Sequence, residues 1–287
     1  MAAPETLLFT RVEGGKVVRE YGGEVVVPWW SFTKTLIAAA VMRLAEAGEV
    51  ELDAVVEGQG FTIRQVLRHE AGLPDYGGLP AYHRAVAAGD PPWPAADLLE
   101  RVGPATFPPG RGWAYSNVGY MWLRELIERR RGPDALAELV LRPLGMDAAR
   151  LALRPADLAG VRMGSAAGYD PGWVYHGLVV GPVREAALGL DRLAGGGLLL
   201  AESLSGMRRP TPLPQANRPP WRLAAYGAGM MTPETPDGVA AYGHTGGGPG
   251  SGIAVYRRDD RGRTVAAFAL DEAAIAVEGP AVAMLVA

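Results

Sequence analysis

The feature that most constrains this chain is the placement of its strand-forming residues at both ends of the sequence, with a helical middle between them. Residues 7–12 and Lys16–Tyr21 are β-prone, and Gly14-Gly15 supplies the positive φ angles that a tight hairpin turn needs. Strand character returns at 239–242, 252–257 and Arg263–Leu270, the last two joined by a turn at Asp259-Asp260-Arg261-Gly262. Between the ends, residues 33–47 place apolar side chains at 37, 41, 44 and 45 and stop at Gly48, which predicts a helix. Further helices are expected at 62–69, Ala95–Val102, Asn117–Arg131 and 134–141, whereas the five prolines of 210–220 predict an extended connection. The expected fold is therefore α/β (α+β). An antiparallel sheet flanked by helices is built from residues 1–30 and 195–287, a mostly helical domain of 31–194 is inserted, and the active site lies at the seam.

Composition removes whole classes of function. The 287 residues are 48% apolar and 21% charged, enough to bury a large core. With 28 basic and 31 acidic residues the net charge is −3, which excludes the electrostatic footprint of a nucleic-acid binder and any polybasic membrane patch. The absence of cysteine excludes disulfides, thiolate catalysis and cysteine-ligated metals. No run of ~18 apolar residues exists, and the first residues lack a basic leader region, so a soluble cytoplasmic protein is expected. The apolar tail is interrupted by Glu278-Gly279-Pro280.

Three short constellations carry chemistry. Only two lysines (Lys16 and Lys34) and six serines occur, so a chance Ser-x-x-Lys pair is expected only about 0.04 times. Ser31-Phe32-Thr33-Lys34 stands at the start of the strongest predicted helix, where positions i and i+3 share a face. A buried lysine with lowered pKa can take the serine proton, and the helix start offers a backbone N–H to an oxyanion. The plainer reading is an N-cap serine with a solvated lysine. Next comes Tyr115-Ser116-Asn117 before the 117–131 helix. A phenol beside an ammonium can have its pKa lowered and relay a proton, while the Asn117 amide can hold the lysine and donate to a substrate carbonyl. Taken alone, this too reads as a loop aromatic and a helix cap. The third is His244-Thr245-Gly246-Gly247, placed between two predicted strands. Its glycines would let a substrate lie along a strand edge, and the Gly247 N–H could complete an oxyanion hole; an ordinary glycine-rich turn is the competing reading.

In this order and spacing, Ser-x-x-Lys, Tyr-x-Asn and His-Thr-Gly resemble the serine β-lactamase and penicillin-binding-protein superfamily, and the tyrosine resembles its class C and esterase branch. The segment Leu67-Arg68-His69-Glu70-Ala71-Gly72-Leu73-Pro74 is similar to that branch's LLxHxSGLP stretch, departing at Glu70 and Ala71. Residues 107–120, Pro143-Leu144-Gly145-Met146, Gly195-Gly196-Gly197-Leu198 and Tyr226-Gly227-Ala228-Gly229 also resemble it, so the likeness runs over residues 6–270. It implies a β-lactamase/transpeptidase-like fold, from which this chain is expected to depart in lacking the leading helix and having a short carboxyl helix. It also implies an acyl-enzyme mechanism with Ser31, Lys34 and Tyr115 catalytic and the N–H groups of Ser31 and Gly247 holding the oxyanion. Asn117, His244, Thr245 and Gly246 would bind substrate. His69 reads as structural, bonding the backbone of its own turn. Trp29, Trp30 and Trp113 flank the first two motifs and are candidates for an acyl pocket or for core packing, and Arg111 is the nearest candidate anchor for a carboxylate.

The expected activity is that of a serine hydrolase on a small ester or amide, foremost a carboxylesterase, without metal or organic cofactor. A β-lactamase or D-amino-acid peptidase is the enzymatic alternative, and a catalytically weak peptide-binding relative is the non-enzymatic one. A Ser-His-Asp hydrolase fits less well, because Ser251 lacks the first glycine of Gly-x-Ser-x-Gly. A zinc hydrolase fits least, because His69, His83, His176 and His244 are scattered along the sequence.

Overall fold

A computed structural model describes residues 7–166, 168–270 and 274–287. Its strands in chain order are β1 (Leu8–Glu13), β2 (Lys16–Tyr21), β3 (Val26–Pro28), β4 (Arg150–Ala152) and β5 (Leu178–Pro182). They continue with β6 (Thr211–Pro212), β7 (Ala225–Tyr226), β8 (Tyr242–Gly248), β9 (Ser251–Arg258) and β10 (Arg263–Leu270). The helices are α1 (Thr33–Glu46), α2 (Ile63–Leu67), α3 (Pro80–Ala88), α4 (Ala95–Val102), α5 (Asn117–Arg131), α6 (Val183–Ala194), α7 (Ala201–Arg208) and α8 (Ala274–Val286).

The two ends of the chain meet in one antiparallel sheet of order β2-β1-β10-β9-β8, with β1 paired to β10 from Leu8 opposite Phe268 to Glu13 opposite Arg263. Gly14 and Gly15, at φ 54° and 79°, turn the first hairpin. Alternation along β9 divides the core by face. Ile253 and Val255 join the large cluster that contains α1, whereas Ala254 and Tyr256 pack with Val277, Ala281 and Leu285 of α8. A second sheet, β3-β5-β4, and the β6-β7 ribbon complete the strands described.

Several elements differ from expectation for identifiable reasons. The 62–69 helix ends at Leu67, because Arg68 leaves the helical region and His69 takes φ 60°; its start is fixed by a reciprocal Thr62–Gln65 capping box. Residues 134–141 form a single π-helical turn at Ala137–Leu141. The strand expected at 239–242 begins instead at Tyr242 and runs through the His-Thr-Gly-Gly motif, which is strand and not turn. Helix α6, within the stretch read as the inserted domain, lays Val183, Ala186, Ala187, Leu190 and Leu193 against the five-stranded sheet. Its buried Asp191 pairs with Arg257 of β9 and accepts from Thr264 of β10. The Glu278-Gly279-Pro280 interruption lies inside the thirteen-residue α8, where Glu278 is fully buried.

Candidate active site

Ser31 sits in a 3-10 turn, Trp30–Phe32, that leads directly into α1. The i, i+3 spacing carries across that junction, and Lys34 Nζ lies 3.1 Å from Ser31 Oγ. Lys34 is completely buried and also donates to Asn117 Oδ1 at 2.7 Å. Burial pushes the Lys34 ammonium well below the ordinary lysine range, and the Asp75 carboxylate opposes that shift. The Tyr115 ring stands 5.0 Å from Nζ, and the Ser31 side chain is near enough to its phenol to favour the ionised form. Burial raises the Tyr115 phenol above its ordinary value, contrary to the lowering expected from a neighbouring ammonium, because desolvation outweighs the other influences here.

The His69–Gly77 stretch holds the second motif in place. His69 Nδ1 accepts the Ser116 N–H at 3.1 Å, the Pro74 carbonyl accepts the Ser116 hydroxyl at 2.7 Å, and Asp75 Oδ1 accepts the Asn117 N–H at 2.7 Å. Ser116 in turn caps α5 by accepting from Gly119 N. His69 therefore bonds the backbone of the second motif and not that of its own turn. Its ring is enclosed by Tyr115, Tyr120, Tyr226 and Trp113.

The third motif is the free edge of the large sheet. Gly243 exchanges both backbone hydrogen bonds with Met231, away from β9, so by strand alternation the backbone groups of Gly247 also face outward, where Gly247 lines the cleft. Side chains alternate likewise. A Cβ on Gly246 would stand 2.6 Å from Ser31 N, and one on Gly248 would enter the Trp30 ring at 2.4 Å, so the glycines are needed for close approach to the nucleophile turn. Thr245 faces the opposite side, where its hydroxyl meets Glu278 at 2.5 Å and Tyr256 at 2.8 Å, so that side chain is turned away from Ser31. His244 is fully buried with both ring nitrogens engaged, Nδ1 by the Thr245 carbonyl and Nε2 by the Tyr226 hydroxyl. Burial, reinforced by the Lys34 charge, pushes it down to about 3. It is a neutral strut, not a group exposed to substrate.

Two residues that the sequence did not assign to the site, Asp75 and His176, join it. Asp75 directly follows the Leu73-Pro74 pair, and its role could have been sought in that segment. His176 belongs to no motif, yet its Nε2 lies 3.1 Å from Lys34 Nζ. Three histidines that are scattered in sequence, His69, His176 and His244, are thus buried around one lysine. Among the described residues, no group of three His, Asp or Glu side chains could hold a metal ion.

The cleft in front of Ser31 measures about 1050 Å³. Of the three tryptophans singled out, only Trp30 lines it; Trp29 is core, and Trp113 packs on His69 and Tyr226. Its aromatic wall comes instead from Tyr76, Tyr82, Tyr169 and Trp173. Arg111 is exposed and outside the cleft, and the described lining contains Asp90 and Asp170 but no arginine or lysine. No helix among the described residues is long and apolar enough to cross a membrane.

A sequence profile of the Beta-lactamase family matches residues 7–280. Penicillin-binding protein 4* of Bacillus subtilis (strain 168) is 33% identical over 136 residues, 42% of this chain and 29% of that protein. Esterase EstB of Burkholderia gladioli is 31% identical over 159 residues, 47% of this chain and 40% of that protein. The chain thus matches less than half the length of either relative. Among solved structures, a D-stereospecific amidohydrolase from Streptomyces sp. superposes with a TM-score of 0.78 at 21% identity, covering 92% of this chain and 88% of that one.

Proposed function

Because the chain belongs to the Beta-lactamase family, we propose that it is a serine hydrolase acting through an acyl-enzyme on a small ester or amide, foremost as a carboxylesterase. The observation that carries this reading is the buried Lys34 amine 3.1 Å from the Ser31 hydroxyl. Ser31 Oγ attacks the carbonyl carbon while its proton passes to Lys34 Nζ. The Ser31 and Gly247 N–H groups receive the oxyanion, the latter from a free strand edge. Burial keeps the Tyr115 phenol protonated, so it serves as the acid that protonates the leaving group and is then reprotonated by Lys34. Water reverses these transfers and frees the acid. Asn117 holds Lys34 and reaches the acyl side of the cleft.

Charge supports the choice among substrates. A β-lactam or a D-Ala-terminated peptide brings a carboxylate, and the described lining of this cleft offers two carboxylates and no cation to meet it. Neutral esters suit the aromatic wall. Asp90 and Asp170 favour, as a second reading, amides of amino acids whose free amine is cationic. The test compares kcat/KM for p-nitrophenyl butyrate, D-alanine p-nitroanilide and nitrocefin, with Ser31→Ala as control and fluorophosphonate labelling read by intact mass. One adduct, lost in Ser31→Ala, and p-nitrophenyl butyrate as the best substrate are expected. Nitrocefin as the best substrate overturns the esterase reading, and an adduct on Ser251 overturns the nucleophile.

A further inference from the structure

Asp75 belongs to none of the three motifs, yet both of its carboxylate oxygens are fixed beside the second. Oδ1 accepts the Asn117 N–H at 2.7 Å, and Oδ2 accepts the Gly77 N–H at 3.1 Å. Asn117 is the first residue of α5, so the carboxylate also meets the positive end of a fifteen-residue helix. Asn117 in turn accepts from Lys34 Nζ at 2.7 Å through its side-chain Oδ1. Asp75 and the amine are thus joined through one residue. Gly77 packs into the same corner: a Cβ there would stand 2.9 Å from Asp75 Oδ2 and 3.4 Å from Asn117 Nδ2. With both oxygens engaged by backbone, the carboxylate is a fixed charge that need not reorganise when charge appears on Lys34.

Charge does appear there. Lys34 becomes an ammonium when it takes the Ser31 proton, and it does so fully buried. Around it stand the Tyr115 and Tyr120 rings, at 5.0 and 5.6 Å, and the imidazoles of His69, His176 and His244. Burial keeps both phenols protonated and all three imidazoles neutral, so none of them supplies a negative charge. The Asp75 carboxylate is the charge that opposes the effect of burial on Lys34. We propose that Asp75 is a positioning residue for Lys34: it fixes Asn117, whose Oδ1 holds the amine, and its carboxylate is the counter-charge of the ammonium formed when Ser31 is deprotonated. The proposal rests on the hydrolase reading for its kinetic consequence but not for the arrangement itself.

Because Lys16 and Lys34 are the only lysines, Lys34 can be followed directly by NMR of protein carrying ¹³C-labelled lysine, with exposed Lys16 as an internal reference. Asp75→Asn keeps an oxygen for the Asn117 N–H and removes the charge. Loss of a counter-charge makes the ammonium costlier, so the Lys34 titration should move to lower pH while that of Lys16 stays. Loosening of the site alone would let water reach Lys34 and move its titration the opposite way, toward the ordinary range. The acid limb of kcat/KM for p-nitrophenyl butyrate should follow the NMR titration down. The plateau kcat, at pH values where Lys34 is already deprotonated, should fall about 10-fold with KM within about 3-fold of wild type. Asp75→Ala also releases Asn117 and should lose at least about 10-fold more.

Lys34 titrating in Asp75→Asn at the wild-type pH or above it overturns the proposal, as does a wild-type Lys34 that stays neutral down to acid unfolding. A plateau kcat within about 3-fold of wild type in Asp75→Asn, or an alanine variant no worse than the asparagine one, overturns it too. Should either variant not fold, Asp75→Glu decides alone, since it keeps the charge and both acceptor oxygens. A Lys34 titration within about 0.5 pH unit of wild type and a kcat within about 10-fold of it support the proposal, whereas a larger change in either overturns it. If wild type turns over no ester, the hydrolase reading fails, while the Lys34 titration still decides whether Asp75 is its counter-charge.

Discussion

Among the described residues, Trp30 and His69 are the two non-glycine residues held at positive φ, 42° and 60°, and both adjoin catalytic candidates. Such backbone costs about 1–3 kcal/mol per residue and persists only where the surroundings impose it. Trp30 is imposed by its indole N–H on Ser251 Oγ and by the ring space that Gly248 leaves open; it presents Ser31 on the next residue. Lys34 is held against its solvation in the same way. An unfolded lysine is protonated below about 10.4, whereas burial holds the folded one well below that range. The resulting penalty is fully present below the folded pKa and vanishes as pH rises past about 10.4. Lys34→Met keeps the stem and removes the titration. In urea melts, its stability relative to wild type should therefore improve as pH is lowered from about 10, by up to about 1.4 kcal/mol per pH unit, until the folded pKa is reached. A difference independent of pH would mean that Lys34 titrates normally.

At the scale of elements, β8 decides how tightly the sheet closes on the nucleophile. Gly246→Ala places a methyl 2.6 Å from Ser31 N, against backbone that cannot swing aside. We expect kcat/KM for p-nitrophenyl butyrate to fall about 10²-fold or more, with a stability loss of only about 1–3 kcal/mol, because the edge strand can shift outward as a whole. Activity within a few-fold of wild type would show that the approach is not required. The same strand marks the limit of what could be read in sequence. A run of His-Thr-Gly-Gly-Gly has the composition of a turn; it is extended because it pairs with β9 along its length, and its glycines admit the close approach of the Trp30–Phe32 turn. Helices Ala95–Val102 and Asn117–Arg131 and strand Arg263–Leu270 were legible because each carries its own pattern and stop signal. Ser31, Lys34, Tyr115 and Asn117 were singled out as candidates by their order, and the fold brings them together around the Lys34 amine. His176 was not, because nothing local marks a lone histidine in coil as the neighbour of a residue 142 positions away.

At the scale of the whole molecule, three neutral imidazoles are packed around one amine. Burial first, then the Lys34 charge, keeps His69 and His176 well below the ordinary histidine range and His244 at about 3. The unfolded chain takes up these protons below about 6.5, so stability is fully present above that pH and is lost as pH falls through the window beneath it. With about three protons involved, the slope should reach about 4 kcal/mol per pH unit between pH values of about 6 and 4, as measured by urea unfolding. A slope of less than one proton would mean that the histidines are already charged in the fold. The carboxylates held low by arginine partners, such as Glu20 beside Arg184 and Asp53 beside Arg64, add their own loss only below about 4.5.

The pairing of Leu8 with Phe268 has a consequence on the ribosome. The strand that pairs with β1 is made ~260 residues after it, about 13–50 s at ordinary rates of synthesis. For that interval the edge of β1 opposite β2 presents a bare row of peptide groups, without the strand that pairs with it. Nascent chains should therefore be bound by chaperones from the emergence of β1 until β10 has been made. A circular permutant that opens the chain in the exposed 236–238 turn and joins the present ends would make β8, β9, β10, β1 and β2 in succession, with only α8 between β10 and β1. Such a chain should complete its sheet early and need far less protection while it is being made.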